Sequence, residues 1–314
     1  MKIIFELPFY SSTCGGVLST IKLAKAMGAD VRFQRLTDEF PNDIGVSYTF
    51  GKTEMFPACD WAISYSDNPH FSKLFNVRRV KKVGIFMQSY GMSIANERKN
   101  ALNKKALVLC TTKKIEDAIR ADGGNPHRIG HGFEMQDFYD KQLGRVDGLA
   151  LLYHHIDTKQ YDVAVKVADM LYDNGIIHSV ITFGMSEGYE KHQHPKALVK
   201  HFSNANKEEI SWIFNICKAY LMPSISEGLN LTPIEATLCG CPSVICDGAI
   251  GDIFFHRVNC LISENDVDSL YKCVQDVVGN DFYNKSFYYK KSMESIISNI
   301  GSWDDVAYKL KELL

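Results

Sequence analysis

The chain has 314 residues, 46% of them hydrophobic and 23% charged, with 35 Lys and Arg against 37 Asp and Glu. Near-neutral charge gives no whole-chain signature of a polyanion or polycation binder, and no run of 18 apolar residues is present to span a membrane. The length suits two globular domains.

Residues 2–6 (KIIFE) read as a strand. Val17–Met27 reads as a helix, with apolar residues at Val17, Leu18, Ile21, Ala24 and Met27. In the opening MKIIFELPFY, Glu6 and Pro8 interrupt any apolar core of a secretory leader. Strand-like runs recur at Trp61–Tyr65, Val83–Met87 and Leu107–Cys110, each followed by a polar, helix-compatible stretch. The second half repeats the alternation: strand at Leu149–Tyr153, helix at Tyr161–Asn174, strand at Ser179–Phe183 closed by Gly184. Further strands are expected at Ala219–Met222, Ser243–Cys246 and Asn259–Ile262. Strand and helix in alternation imply parallel sheets covered on both faces, hence an α/β protein. The polar, glycine-punctuated stretch 140–148 (DKQLGRVDG) marks the expected boundary. It divides a domain of residues 1–145 from one of 146–298, with a last helix in 299–314. Nine cysteines, an odd number with no CxxC pair, predict reduced thiols and a cytoplasmic setting.

Charge is uneven along the chain. Residues 1–145 hold 21 Lys and Arg against 15 Asp and Glu, and the remainder 14 against 22. Between 73 and 105 the bases are Lys73, Arg78, Arg79, Lys81, Lys82, Arg98, Lys99, Lys104 and Lys105, with Glu97 the single acid. This reads either as solvated faces or as a surface for an anionic partner.

The most informative segment is PSISEGLNLTPIEATLCGCPSVICD, residues 223–247. A strand ending near Met222 runs into a loop and then a helix opening at Thr232–Pro233, with Thr232 as N-cap and Pro233 in the first helical position. Amides of Gly228, Leu229, Asn230 and Leu231 and the helix dipole would converge on a spot suited to a phosphate. Glu227 lies on the loop rim and Glu235 one turn into the helix, within reach of hydroxyls beside that phosphate. Gly240 and Pro242 end the helix. Asp266-Val267-Asp268 has the form of a metal-binding Asp-x-Asp, but it opens an amphipathic pattern and reads as a helix cap. His192-x-His194 reads as a polar loop.

Glu227, the seven intervening residues and Glu235, together with the PS-x-x-EG start and the closing G-x-P, resemble the E-x7-E signature of retaining family-four glycosyltransferases. That resemblance implies the GT-B fold, with two Rossmann-like, doubly wound parallel-sheet domains facing an interdomain cleft. Other landmarks fall in the family's order. Cys14-Gly15-Gly16-Val17 resembles its N-terminal glycine loop near the donor phosphates. Gly184 in TFG matches a glycine closing the second strand of the C-terminal domain. Ser302-Trp303-Asp304 resembles the start of the final helix, which crosses back to the N-terminal domain. Departures are equally specific. The family's Arg and Lys, five residues apart, appear here as His154 and Lys159. Gln88 in IFMQSYG stands where many relatives carry a histidine. His131 in PHRIGHGFEMQDFY replaces an asparagine.

The resemblance implies transfer of a hexosyl or pentosyl group from a nucleotide-sugar, UDP-linked by frequency, with retention and without a metal ion or other cofactor. Its catalytic set is Glu227, Lys159 and Gln88. Lys159 would meet the leaving diphosphate, Glu227 the donor-sugar hydroxyls, and Gln88 the sugar or acceptor. Gly15, Gly16, His154, Gly184, Gly228, Leu229, Asn230, Leu231 and Glu235 would bind donor, Glu235 through the ribose. His131 and the bases Arg78, Arg79, Lys81 and Lys82 would lie on the acceptor side. The expected acceptor is a glycan or glycolipid, the enzyme then being cytoplasmic or peripheral to a membrane. One alternative is a phage-type enzyme, acting in host cytoplasm on hydroxymethylated cytosine in DNA, the base flipped from its stack. The other is a sugar-nucleotide-binding module without catalysis.

Overall fold

The computed structural model describes residues 1–11, 14–35, 40–41, 43–66, 68–90, 96–249, 252–279 and 286–314. They divide into two compact units, Met1–Phe133 with Ile300–Leu314, and Glu134–Asn299.

In the first unit, β1 (Ile3–Leu7), β2 (Asp30–Phe33), β3 (Tyr48–Phe50), β4 (Cys59–Tyr65), β5 (Val80–Met87), β6 (Leu107–Cys110) and β7 (Pro126–Arg128) form one sheet in the order β3-β2-β1-β4-β5-β6-β7. Every pairing in it is parallel. Helices α1 (Gly15–Met27), α2 (Glu97–Ala101) and α3 (Lys113–Ala121) connect strands. β1 is buried along its whole length, as a strand covered on both faces must be. The apolar spacing of α1 turns Val17, Ile21, Leu23, Ala24 and Met27 into the core. The last helix, α9 (Trp303–Leu313), belongs to this unit and sets Trp303, Val306, Ala307 and Leu310 against the same core. A capping box between Ser302 and Asp305 starts it. Gly132 pairs with Gly301 as a parallel bridge, and a side chain at Gly132 would collide with Trp303.

The second unit is wound the same way. β8 (Val146–Tyr153), β9 (Ser179–Gly184), β10 (Leu198–Ser203), β11 (Cys217–Met222), β12 (Ser243–Cys246) and β13 (Leu261–Ser263) form a parallel sheet ordered β10-β9-β8-β11-β12-β13. Helices α4 (Tyr161–Asp173), α5 (Lys207–Ile216), α6 (Leu231–Leu238), α7 (Val267–Gly279) and α8 (Ser286–Asn299) accompany it. Residues 134–145 are part of this unit. The Lys141 amide donates to Asn215 Oδ1 at 2.6 Å, and the Arg145 guanidinium reaches the carbonyls of Phe214, Cys217 and Cys239. The first residue of the Asp266–Asp268 string caps α7, its carboxylate accepting from the Ser269 amide at 2.8 Å. Both sheets are therefore α/β and doubly wound, as expected. The topology reverses between β1 and β4 in one unit and between β8 and β11 in the other. At such a switch point neighbouring loops leave the carboxyl ends of the strands in opposite directions, which opens a crevice for ligands.

Candidate functional site

At the switch point of the second unit, the loop after β8 meets the loop after β11. After Tyr153 the chain makes a single 3₁₀ turn, Asp157–Lys159, and Gln160 takes a left-handed conformation (φ 54°) before α4. After β11, residues 223–230 lead into α6. The Ile225 amide donates to the Thr158 carbonyl at 3.0 Å, which ties the two loops together. Beside it the Lys159 ammonium donates to Glu227 Oε1 at 2.6 Å, their side chains 17% and 8% exposed. In so little water this charge-assisted contact is strong, but both groups have been desolvated to make it. The pair presents an ammonium whose counter-ion can be exchanged for an incoming anion.

Helix α6 begins two residues earlier than the sequence suggests. Asn230 (φ −82°, ψ 101°) precedes it, Leu231 is its first residue, and Pro233 occupies the third position. Thr232 is thus inside the helix rather than its N-cap, because its hydroxyl is drawn to the buried Tyr220 hydroxyl at 2.8 Å. Pro233 still costs no hydrogen bond, since the first four amides of a helix have no carbonyl partner within it. Gly228 is buried and Leu229 half-buried in the approach to α6. Glu235, half-buried, lies one turn along from Leu231. Gly240 (φ 74°) takes the left-handed conformation after α6.

His154 and Gly184 complete this end of the sheet. His154 Nδ1 accepts from the Ile156 amide at 3.2 Å. Burial first, then the neighbouring Lys159 and His155, push its pKa down to about 4. The imidazole is therefore neutral at pH 7 and cannot stand in for an arginine's charge there. At Gly184 (φ 135°) an added Cβ would lie 2.1 Å from the Tyr153 carbonyl oxygen, so the close approach of β8 and β9 excludes every other residue.

In the first unit the expected residues gather on α1. A Cβ at Gly16 would meet the Tyr65 hydroxyl at 2.7 Å, so this glycine lets the side chain of Tyr65, the last residue of β4, lie against the start of α1, which Gly15 opens. Gln88, just past β5, donates to the Gly16 carbonyl at 2.8 Å and to Thr20 Oγ1 at 2.9 Å. His131 is 8% exposed, bonded to Ser19 Oγ at 2.9 Å and packed on the Trp303 ring. Burial pushes its pKa down to about 4. Arg78, Arg79, Lys81 and Lys82 are exposed at and before the start of β5, the opposite end of that strand from Gln88. At about 3.3 Å per residue the strand separates the two ends by roughly 23 Å. Lys81 pairs with Asp60 at 2.8 Å, and Lys82 lies over the Trp61 ring. The structure thus brings Gly15, Gly16, Gln88 and His131 together around α1 and holds the basic group apart from them.

One buried acid goes unnoticed in the sequence. Glu6, in β1, is fully buried and accepts from Thr53 Oγ1 (3.0 Å) and Asn68 Nδ2 (2.6 Å). Desolvation raises its pKa in spite of those bonds and of Arg32. The carboxyl fastens the segments around Thr53 and Asn68 to the carboxyl end of β1. The clue was an acid within the otherwise apolar run IIFEL. Among the described residues no group of three His, Cys, Asp or Glu could hold a metal ion, and no helix is long and apolar enough to cross a membrane.

Residues 149–294 match the family described as group 1 glycosyl transferases, a span that takes in both loops of the second switch point. No curated protein matches the sequence. Among solved structures, HepE of Anabaena, in complex with UDP and glucose, superposes with a TM-score of 0.80 at 14% identity over 100% of this chain and 99% of that one. Sucrose-phosphate synthase of Thermosynechococcus elongatus gives 0.77 at 13% identity over 100% and 98%. WaaG, a glycosyltransferase involved in lipopolysaccharide biosynthesis, gives 0.75 at 11% identity over 99% of each chain. The fold is GT-B.

Proposed function

We propose that the protein is a retaining glycosyltransferase that moves a sugar from a UDP-linked donor to a glycan or glycolipid hydroxyl. The observation that carries this reading is the Lys159–Glu227 pair at the mouth of α6, where the loops after β8 and β11 meet. The family match over this unit and the UDP and UDP-glucose held by the Anabaena neighbour support the donor class. WaaG's part in lipopolysaccharide synthesis supports the acceptor class.

In the reaction the bond from the anomeric carbon to the leaving phosphate oxygen breaks. A bond from the same carbon to the acceptor oxygen forms on the same face, and the acceptor's proton passes to the departing phosphate. Negative charge grows on the diphosphate, so a cation fixed beforehand lowers the barrier. Lys159 supplies it, released from Glu227 as the diphosphate arrives. Amides from Gly228 to Leu231 and the dipole of α6 add to it without a metal ion. Glu227, freed from the ammonium, accepts from sugar hydroxyls, and Glu235 from the ribose. His154, neutral, contributes hydrogen bonding rather than charge. In the first unit Gly15 and Gly16 shape the start of α1, Gln88 beside it is the residue assigned to the sugar or acceptor, and His131 supports α1 through Ser19.

Thermal unfolding in the presence of UDP, GDP, ADP and CMP tests the donor class, with UDP giving the largest rise in melting temperature. Anomeric NMR of the glycoside formed from UDP-glucose tests retention, with the α product expected. A protein stabilised by none of these nucleotides would not be a glycosyltransferase of this kind. Binding without transfer or hydrolysis of any donor would leave a nucleotide-sugar-binding module.

A further inference from the structure

The side chain of Asn230 is placed unlike an ordinary helix cap. It is 3% exposed and immediately precedes α6, the position from which asparagine normally accepts a hydrogen bond from an early helix amide, yet it makes no such bond. A relay sets its orientation instead. The fully buried Tyr220 hydroxyl lies 2.8 Å from Thr232 Oγ1, and the Thr232 hydroxyl donates to Asn230 Oδ1 at 3.4 Å. The Tyr220 hydroxyl also donates to Met222 Sδ at 3.1 Å, so Thr232 Oγ1 sits between the Tyr220 hydroxyl and the Asn230 carboxamide. Oδ1 of the carboxamide has the Thr232 contact, while Nδ2, carrying two hydrogens, is buried with no partner among the described residues. Buried donors are rarely left in that state without a reason.

Two hydroxyls on the same loops share this condition. Ser224 Oγ, on a residue 0% exposed, and Thr158 Oγ1 are both buried without a partner. The bond from the Ile225 amide to the Thr158 carbonyl holds their backbones side by side, and the Lys159–Glu227 pair adjoins them. Buried polar atoms without a partner occur elsewhere too, Ser243 Oγ and the Tyr288 hydroxyl among them, and what sets these apart is that they share the two loops that carry the ion pair. Beside an ammonium and a helix start, unspent donors suit a ligand rich in oxygen acceptors.

We infer that the Asn230 carboxamide is a specificity-determining group, donating from Nδ2 to an oxygen of the bound nucleotide-sugar, either of the diphosphate or of the sugar. This rests on the donor reading above. It adds a side-chain contact whose strength depends on a neutral donor at this one position.

Calorimetric titration of UDP and of UDP-glucose into the protein and its N230D and N230A variants tests it. Aspartate keeps the shape and the bond from Thr232 and suits a helix start, but it removes both hydrogens and adds a negative charge. The unliganded melting curve of each variant checks that the unit still folds, and the affinity of N230D falls at least about tenfold. N230A, which removes the donors without adding charge, should lose about 3- to 10-fold. Loss for both ligands identifies a phosphate oxygen as the acceptor, and loss for UDP-glucose alone a sugar oxygen. If the unaltered protein binds both ligands and the two variants match it, the inference about Asn230 is overturned while the donor reading stands. If the unaltered protein binds neither, both fall together.

Discussion

The two switch points make a natural comparison, because the units share one winding and differ in what their loops do with polar groups. In the first unit the carboxyl, amide and imidazole groups near the strand ends are bonded within the protein, Gln88 to Gly16 and Thr20, His131 to Ser19, Glu6 to Thr53 and Asn68. The buried atoms left without a partner there include the small hydroxyls of Ser66 and Thr111 but, among the described residues, no ion pair beside them. In the second, among the described residues, the side chains of Lys159 and Glu227 bond to each other, and Thr158, Ser224 and Asn230 each leave one buried polar atom unpartnered. A side chain held by other groups of its own unit shapes that unit. One held by an exchangeable counter-ion, or by nothing, is ready for a ligand.

The sharpest way to break this contrast is Lys159→Ala. Turnover at saturating UDP-sugar should fall about 10²- to 10³-fold, the effect of removing one preorganised charge from a leaving group. A melting curve for the variant checks that the unpaired Glu227 has not simply unfolded the unit. Turnover equal to that of the parent would remove Lys159 from the reaction.

The next effect concerns the first unit and is purely structural. Burial keeps His131 neutral in the folded protein with its pKa lowered to about 4, against an ordinary 6.5. Below pH 6.5 the unfolded chain therefore takes up a proton that the folded chain refuses. The stability His131 contributes is whole above pH 6.5 and is lost as the pH falls toward 4, a change of roughly 2–3 kcal/mol. Half-buried His154 adds to the slope with the same sign. Urea unfolding across this range should show the decline, and His131→Asn should flatten it. An equal slope in the variant would mean that His131 is not held neutral by its surroundings.

Glu235→Ala should act more mildly, raising the donor KM about tenfold with turnover nearly kept, since ribose contacts are made equally in ground and transition states. A change in turnover alone would contradict its assignment to the ribose. Least of all is expected from Arg78→Ala with Arg79→Ala. These residues sit at the far end of β5 from Gln88, so donor KM and turnover with a small soluble acceptor should stay within about twofold. A larger loss would show that this end of the sheet takes part in catalysis.

Much of the fold is legible in local patterns. Buried strands such as Leu107–Cys110 and Ser243–Cys246 are short, mainly apolar runs followed by the polar Thr111 and Asp247, and their predicted limits coincide with the observed ones. β3 and β7 are less readable. Each is a three-residue edge strand whose existence depends on a neighbour and not on its own periodicity. At the site, the loop-to-helix chemistry of residues 223–240 can be read from residue types, but the start of α6 cannot. Thr232 has the side chain of a cap, and only the approach of Tyr220 decides that it serves elsewhere.

What the sequence determined by itself, then, is the alternation that makes two wound parallel sheets and the residue types gathered around the turn into α6. These depend on spacing and intrinsic conformational preference, which act over a few residues. Tertiary structure alone decided that Lys159 meets Glu227 across 68 positions of chain, that Glu6, Gln88 and His131 are bonded inside the first unit, and that Asn230 keeps its amide hydrogens. Whether a polar group is paired depends on which distant segment is folded against it, and no local pattern encodes that neighbour.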